Sequence, residues 1–233
     1  MSDVRRLQDN DPEMTGRLDV IYRELFNCYG HQHWWPAEEP FEVMVGAILT
    51  QSAAWVNVEK AVASLKKTGV LKPQGIREMP LDGLALLIYS SGYYNAKASK
   101  LKALSQYLGD TYRDSLAEMC RRDTRELRDE LLKVHGIGEE TADSILLYAC
   151  GKPVFVVDAY TRRIFSRIGL CSDRDSYREI QAVFMQHLPP DVQMFNEYHA
   201  LIVQHGKDIC RKRPLCPRCC LLALCGCGQQ GRG

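Results

Sequence analysis

An all-α fold is what this sequence predicts, and three observations carry the prediction. Apolar residues recur at three- and four-residue steps through most of the chain from residue 17 onward. Only one run, PVFVV at 153–157, reads locally as a strand. No internal repeat or low-complexity segment interrupts the pattern. With 233 residues, 45% apolar and 25% charged, the chain is long enough for one large domain or two small ones sharing a core. No stretch of eighteen uninterrupted apolar residues exists, which excludes a transmembrane helix. The opening MSDVRRLQDNDPEM lacks the apolar segment of a secretory signal. The 30 basic against 29 acidic residues exclude a strongly electropositive binder but leave room for one local basic patch.

The elements follow in order. Across residues 41–65 the apolar positions 41, 44, 45, 48, 49 and then 55, 58, 61, 62, 65 keep helical spacing. Leu101, Leu104 and Leu108 continue it, as do Leu127, Leu131 and Val134, and the segments 180–188 and 195–203. The run 153–157 is short and has no partner, so it is expected to be an extended connection between helices. Residues 1–16 and 228–233 are expected to fray.

Between Leu131 and Asp143 a helix runs into Gly136-Ile137-Gly138, and a new helix is expected to begin near Glu139. Two glycines one residue apart let the backbone turn sharply and leave N–H groups uncovered. At a helix N-terminus those groups suit an anion such as a phosphate. A plain turn between two helices is the other reading.

Six of the ten cysteines fall within the last 24 residues: Cys210, Cys216, Cys219, Cys220, Cys225 and Cys227. Without an export signal they are expected to stay reduced, which favours a metal centre over disulfides. Thiolates spaced as in Cys210, Cys216, Cys219 and Cys225 suit a four-cysteine site, either zinc or iron–sulfur, with Cys220 and Cys227 as alternative ligands. Cys28, Cys120, Cys150 and Cys171 are scattered and are expected to be ordinary small buried residues. The loop Arg211-Lys212-Arg213-Pro214 is basic. It is either a cation patch for a polyanion or a solvated charge run.

Taken together, VHGIGEETADSILLYACGKPVFVVDAYTRRIFSRIGL, FEVMVGAILTQSAAWVNVEKA, SGYYNAKASKLKAL and the cysteine cluster resemble, over most of the chain, the endonuclease III superfamily of helix-hairpin-helix, iron–sulfur DNA glycosylases. The resemblance implies two helical lobes flanking a DNA-binding cleft. One would be a six-helix module over 41–150 with the hairpin at about 124–150. The other would be discontinuous, 17–40 plus 152–233, with a cluster loop at 210–225. It implies duplex DNA containing a damaged base as partner, no membrane, a monomer, and a cytoplasmic location at the nucleoid of a prokaryote. Gly136, Gly138, Gln51, Arg211 and Lys212 would contact DNA. A [4Fe–4S] cluster would be held by Cys210, Cys216, Cys219 and Cys225, although the first gap is one residue shorter than the family's. Asp158 matches the catalytic aspartate, whose carboxylate would face the positive charge that builds on the sugar as the glycosidic bond breaks. It also stands where a helix N-cap is expected.

One departure changes the implied chemistry. Members that also cleave abasic sites carry a lysine two residues after the second hairpin glycine, and here that residue is Glu140. A carboxylate cannot form an imine, so covalent catalysis there is closed. The alternative is that another amine takes over, such as Lys133, Lys152 or Lys207. The tryptophans stand at 34, 35 and 55, and Tyr93-Tyr94 adds to the aromatic set. Core packing is the commonest fate of tryptophan, but the Trp-Trp-Pro element resembles the 3-methyladenine glycosylases of the endonuclease III type. On that resemblance Trp35, Trp55 and Lys207 form the substrate pocket, and an indole face suits a cationic ring. The expected activity is monofunctional excision of an alkylated purine such as 3-methyladenine. The alternatives are a bifunctional glycosylase and lyase on oxidised pyrimidines, or a non-catalytic DNA-binding module. An adenine glycosylase would want Glu at position 46, which is Gly46.

Overall fold

A computed structural model describes residues 11–231. Thirteen α-helices follow one another among them: α1 (Pro12–Tyr29), α2 (Pro40–Leu49), α3 (Trp55–Lys67), α4 (Pro73–Glu78), α5 (Leu81–Leu87), α6 (Tyr94–Tyr112), α7 (Leu116–Arg121), α8 (Thr124–Leu131), α9 (Glu139–Ser144), α10 (Ala159–Ile168), α11 (Tyr177–His187), α12 (Val192–Asp208) and α13 (Gly226–Gln229). No strand occurs among the described residues, and 153–157 is an extended link. No described helix is long and apolar enough to cross a membrane.

Local chemistry accounts for the starts. Asp11, Ser115, Asp123, Asp158, Ser176 and Asp191 each accept a first-turn N–H with a side-chain oxygen, and Ser176 with Glu179 closes a capping box. The Asp11 cap and Pro12 begin α1 five residues earlier than the fraying expected for 1–16, so that expectation is corrected at 12–16. At the other end, Gly228 and Gln229 lie in α13 rather than in a frayed tail. The rest of the fraying reading, at 1–10 and 232–233, lies outside the described residues.

The chain divides into two compact units, Met1–Trp34 with Pro153–Gly233, and Trp35–Lys152. In the latter, Met44, Ile48, Leu49, Leu65, Leu101, Leu104, Leu127, Leu131 and Ile145 have no more than a trace of exposure. The helical spacing across 41–65 breaks there at residues 50–54, where Ser52 takes a left-handed φ of 53°. A buried lysine explains the stop: Lys97 Nζ donates to the Leu49 carbonyl at 2.8 Å and to that of Ser91 at 2.6 Å. A cation at the end of α2 satisfies an orphan carbonyl and complements the helix dipole. Burial pushes the Lys97 ammonium down to about 8, with Lys100 adding repulsion.

The other unit has an aromatic core. Phe155 stacks on Phe184 at 3.8 Å, Phe195 and Tyr198 meet Phe155 edge-on, and the Tyr198 hydroxyl donates to the Leu18 carbonyl at 2.9 Å. That bond fastens α12 to α1, the helix from the far end of its sequence.

The scattered cysteines depart from expectation. Cys120 and Cys150 form a disulfide across a separation of 30 residues, joining the end of α7 to the end of the helical run after α9. Cys28 is exposed and Cys171 half-buried. Single positions carry no signal of pairing, because it depends on which helix ends the fold brings together.

Candidate functional site

In the Trp35–Lys152 unit, α8 and α9 form the hairpin. Gly136 sits at φ +84°, and a Cβ there would overlap the stem of Lys100. Gly138 is the N-cap of α9, and the helix continues after Ser144 as a π-helical turn over Ile145–Ala149. Arg128 on α8 binds both oxygens of the fully buried Asp143 on α9, through Nε at 2.6 Å and Nη2 at 3.0 Å. It also lies 3.6 Å from Glu139. This bidentate pair fixes the angle between the two helices and offsets acidic charge beside the N-terminus of α9. Gln51 is brought to the same turn: its Nε2 donates to the Gly136 carbonyl at 3.2 Å and to Thr141 Oγ1 at 2.9 Å, while its Oε1 accepts from Lys100 Nζ at 2.5 Å.

Two of the three tryptophans meet in this unit. Trp35 and Trp55 pack edge to face with centroids 5.5 Å apart, and Tyr148 lies 5.3 Å from Trp35. Gly46 makes room, since a Cβ there would come within 2.8 Å of the Trp35 indole. The two indoles open on a cavity of about 170 Å³ whose walls also include Pro36, Glu42, Glu59 and Lys66. Both rings are half-buried, so neither is simply core.

In the other unit, Asp158 caps α10. Its Oδ1 accepts from the Thr161 N–H at 2.7 Å and from the Thr161 hydroxyl at 2.9 Å. Its Oδ2 lies 3.8 Å from Nε2 of the buried His199. Burial holds His199 below the usual imidazole range, and the nearby Asp158 charge opposes that shift. Lys207 is exposed on the last turn of α12, and its carbonyl accepts from Arg211 Nε at 3.0 Å.

Cys210, Cys216, Cys219 and Cys225 line one narrow cavity with Ile209, Pro214 and Leu222, and Cys227 reaches it too. Cys220 turns instead toward His205, 4.0 Å from Nδ1. Among the described residues no three His, Cys, Asp or Glu side chains gather closely enough to ligate one ion. Four cysteine thiols on one cavity are a donor set that fits an iron–sulfur cluster. Arg167 Nη1 lies 3.3 Å from Cys210 Sγ, a cation suited to offset thiolate charge. Arg163 and Arg167, one turn apart on α10, also bind the carbonyls of Cys210, Arg211 and Lys212. That leaves the Arg211 and Lys212 side chains exposed.

Residues 45–190 match the HhH-GPD superfamily base excision DNA repair protein family. The chain belongs to that family, and it is a base excision repair DNA glycosylase. A Methanocaldococcus jannaschii protein, provisionally named a DNA repair glycosylase, is 47% identical over 94% of this chain and 99% of its own length. The solved structure of a trapped endonuclease III–DNA covalent intermediate superimposes with a TM-score of 0.82 at 27% identity, covering 94% of this chain and 99% of that one. An H. pylori 3-methyladenine DNA glycosylase bound to 1,N6-ethenoadenine superimposes at 0.67 with 28% identity, over 84% and 96% of the two chains. These neighbours agree with the expected superfamily, all-α fold and DNA partner.

Several residues of this glycosylase carry no sequence signal of their role. Arg128 and Lys100 look like ordinary solvated helix charges, and only the fold brings them to the hairpin. His199 lies on the buried face of α12, where its spacing is that of a core residue. Tyr93, one of the aromatic set, is 75% exposed at φ 46°, just before α6. A non-glycine residue held there marks a conformation imposed by its surroundings.

Proposed function

We propose that this glycosylase is monofunctional and hydrolyses the N-glycosidic bond of an alkylated purine, such as 3-methyladenine, flipped out of duplex DNA. The observation that carries the substrate is Trp35 seated over Gly46 and edge-on to Trp55, a flat-walled aromatic cavity of the kind an extruded base needs. The H. pylori neighbour is named for this substrate. Lys207 is not among the residues that line this cavity.

Glu140 determines the reaction type. It stands on the first turn of α9, where the lyase members carry their imine-forming lysine. Water then attacks the sugar as the base leaves. Asp158 stabilises the oxocarbenium-like transition state and orients that water. Its Oδ1 is committed to Thr161, so Oδ2 is the oxygen assigned to the sugar. The hairpin N–H groups around Gly136 and Gly138, with Gln51, Arg211 and Lys212, hold the DNA backbone.

Cys210, Cys216, Cys219 and Cys225 would hold a [4Fe–4S] cluster. Bound there, the cluster supplies structure rather than electrons, because base excision has no net redox change. It would rigidify the loop that presents Arg211 and Lys212. Such an enzyme works at the nucleoid, in the cytoplasm of a prokaryote.

One other reading has an observation in its favour: the endonuclease III likeness extends further over the fold than the 3-methyladenine glycosylase likeness. It would make the protein a lyase that recruits an amine from another position than 140. Base-release profiling on duplexes carrying alkylated, oxidised or mismatched bases separates the two. Free alkylated purine is the expected product, and preferential release of oxidised pyrimidines overturns the proposal.

A further inference from the structure

The aromatic cavity has an acidic rim that packing does not require. On α2, Glu42 stands one turn before Gly46; on α3, Glu59 stands one turn after Trp55. Helical spacing therefore sets a carboxylate beside each feature that shapes the cavity, and both line it. Glu42 is only 7% exposed. A carboxylate that deep is unfavourable unless it is paired and hydrogen-bonded. It is held by Lys66 Nζ at 3.0 Å and by the Glu38 N–H at 3.1 Å. Lys66 is shared with Glu38, 3.4 Å away. The cavity wall thus carries two carboxylates, Glu42 and Glu59, against one ammonium, Lys66, whose charge is further shared with Glu38 outside it.

That sign is wrong for a phosphate and right for an organic cation. Indole faces add cation–π attraction and the rings lower the local dielectric, while excess carboxylate charge makes the potential negative. A neutral ring of the same size would gain stacking only.

From this we infer that Glu42 and Glu59 make the Trp35–Trp55 cavity selective for positively charged bases, the ring-N-alkylated purines that are cationic while still attached to the sugar, over neutral lesions of similar size. The inference deepens the alkylpurine reading and rests on it. Glu59 is the adjustable member, being exposed, whereas Glu42 is fixed by its pair with Lys66.

The test compares excision of a cationic lesion, 7-methylguanine, with that of a neutral one, 1,N6-ethenoadenine, in wild type, Glu59→Gln and Glu59→Asp. Wild type should favour the cationic lesion. Glu59→Gln should cut that preference on the order of fivefold to tenfold, with melting temperature unchanged, and Glu59→Asp should retain it. An unchanged preference in Glu59→Gln overturns the inference. A second readout needs no catalysis: tryptophan fluorescence titrated with 7-methylguanosine at mildly acidic pH, against guanosine. If wild type releases no alkylated purine, the functional reading fails and this titration alone decides the cavity. Stronger quenching by 7-methylguanosine, weakened by Glu59→Gln, upholds cation selection, and equal quenching by both nucleosides overturns it.

Discussion

Lys100 Nζ sits 2.5 Å from Oε1 of Gln51, whose amide nitrogen is committed to the hairpin at Gly136 and Thr141. The three groups form one chain of hydrogen bonds, so they should act as a unit. Lys100→Met and Gln51→Ala should each weaken binding to a lesion duplex, while the double variant is little worse than the weaker single one. A double-mutant cycle by fluorescence anisotropy should give a coupling of about 0.5–3 kcal/mol. Simple additivity would separate Lys100 from the hairpin.

Asp158 has two jobs that different substitutions split. Asparagine caps helices as well as aspartate does, so Asp158→Asn should leave the melting temperature nearly unchanged. Excision should nonetheless fall on the order of 10²-fold or more, through loss of charge opposite the developing cation. Asp158→Ala should lose the activity and about 1 kcal/mol of stability as well. Calorimetry beside single-turnover kinetics reads both effects.

Lys97 gives a pH signature with a definite sign. Its folded value of about 8 lies below the ordinary 10.5, so between these values the unfolded chain binds one more proton than the folded one. Stability therefore rises with pH through that window as the strain of the buried charge is relieved. Lys97→Met should be less stable overall, because the Leu49 and Ser91 carbonyls lose their donor. It should also lack the rise seen in wild type between pH 8 and 10.5. Chemical denaturation at several pH values makes the comparison.

The Cys120–Cys150 bridge closes a loop of 30 residues and should be worth about 3.6 kcal/mol on loop-entropy grounds. A thiol reductant should lower the melting temperature of wild type toward that of Cys120→Ser and leave the variant unmoved. No response in wild type would show that the thiols are not paired in solution.

Much of this was legible in the chain. Helical spacing foretells the all-α fold, the Gly136–Gly138 pair foretells the turn before Glu139, and the cysteine spacing foretells one shared cavity. What escaped is long-range. The break of the helical pattern at residues 50–54 depends on Lys97, nearly fifty residues away, reaching the Leu49 carbonyl. Arg128 and Asp143 look like any helix charges until the hairpin buries one and aims the other. The pairing of Cys120 with Cys150, and the acidic rim formed by Glu42 and Glu59, likewise arise only when separate helices meet.

Glu140 in place of an imine-forming lysine sets the reaction type, and borohydride trapping during excision of a single alkylated purine from duplex DNA reads it out. Wild type is expected to release free base, to leave an intact abasic strand that breaks only after alkali, and to form no protein–DNA adduct. Efficient trapping of wild type with strand scission before alkali, abolished in Lys207→Ala, would contradict the monofunctional reading.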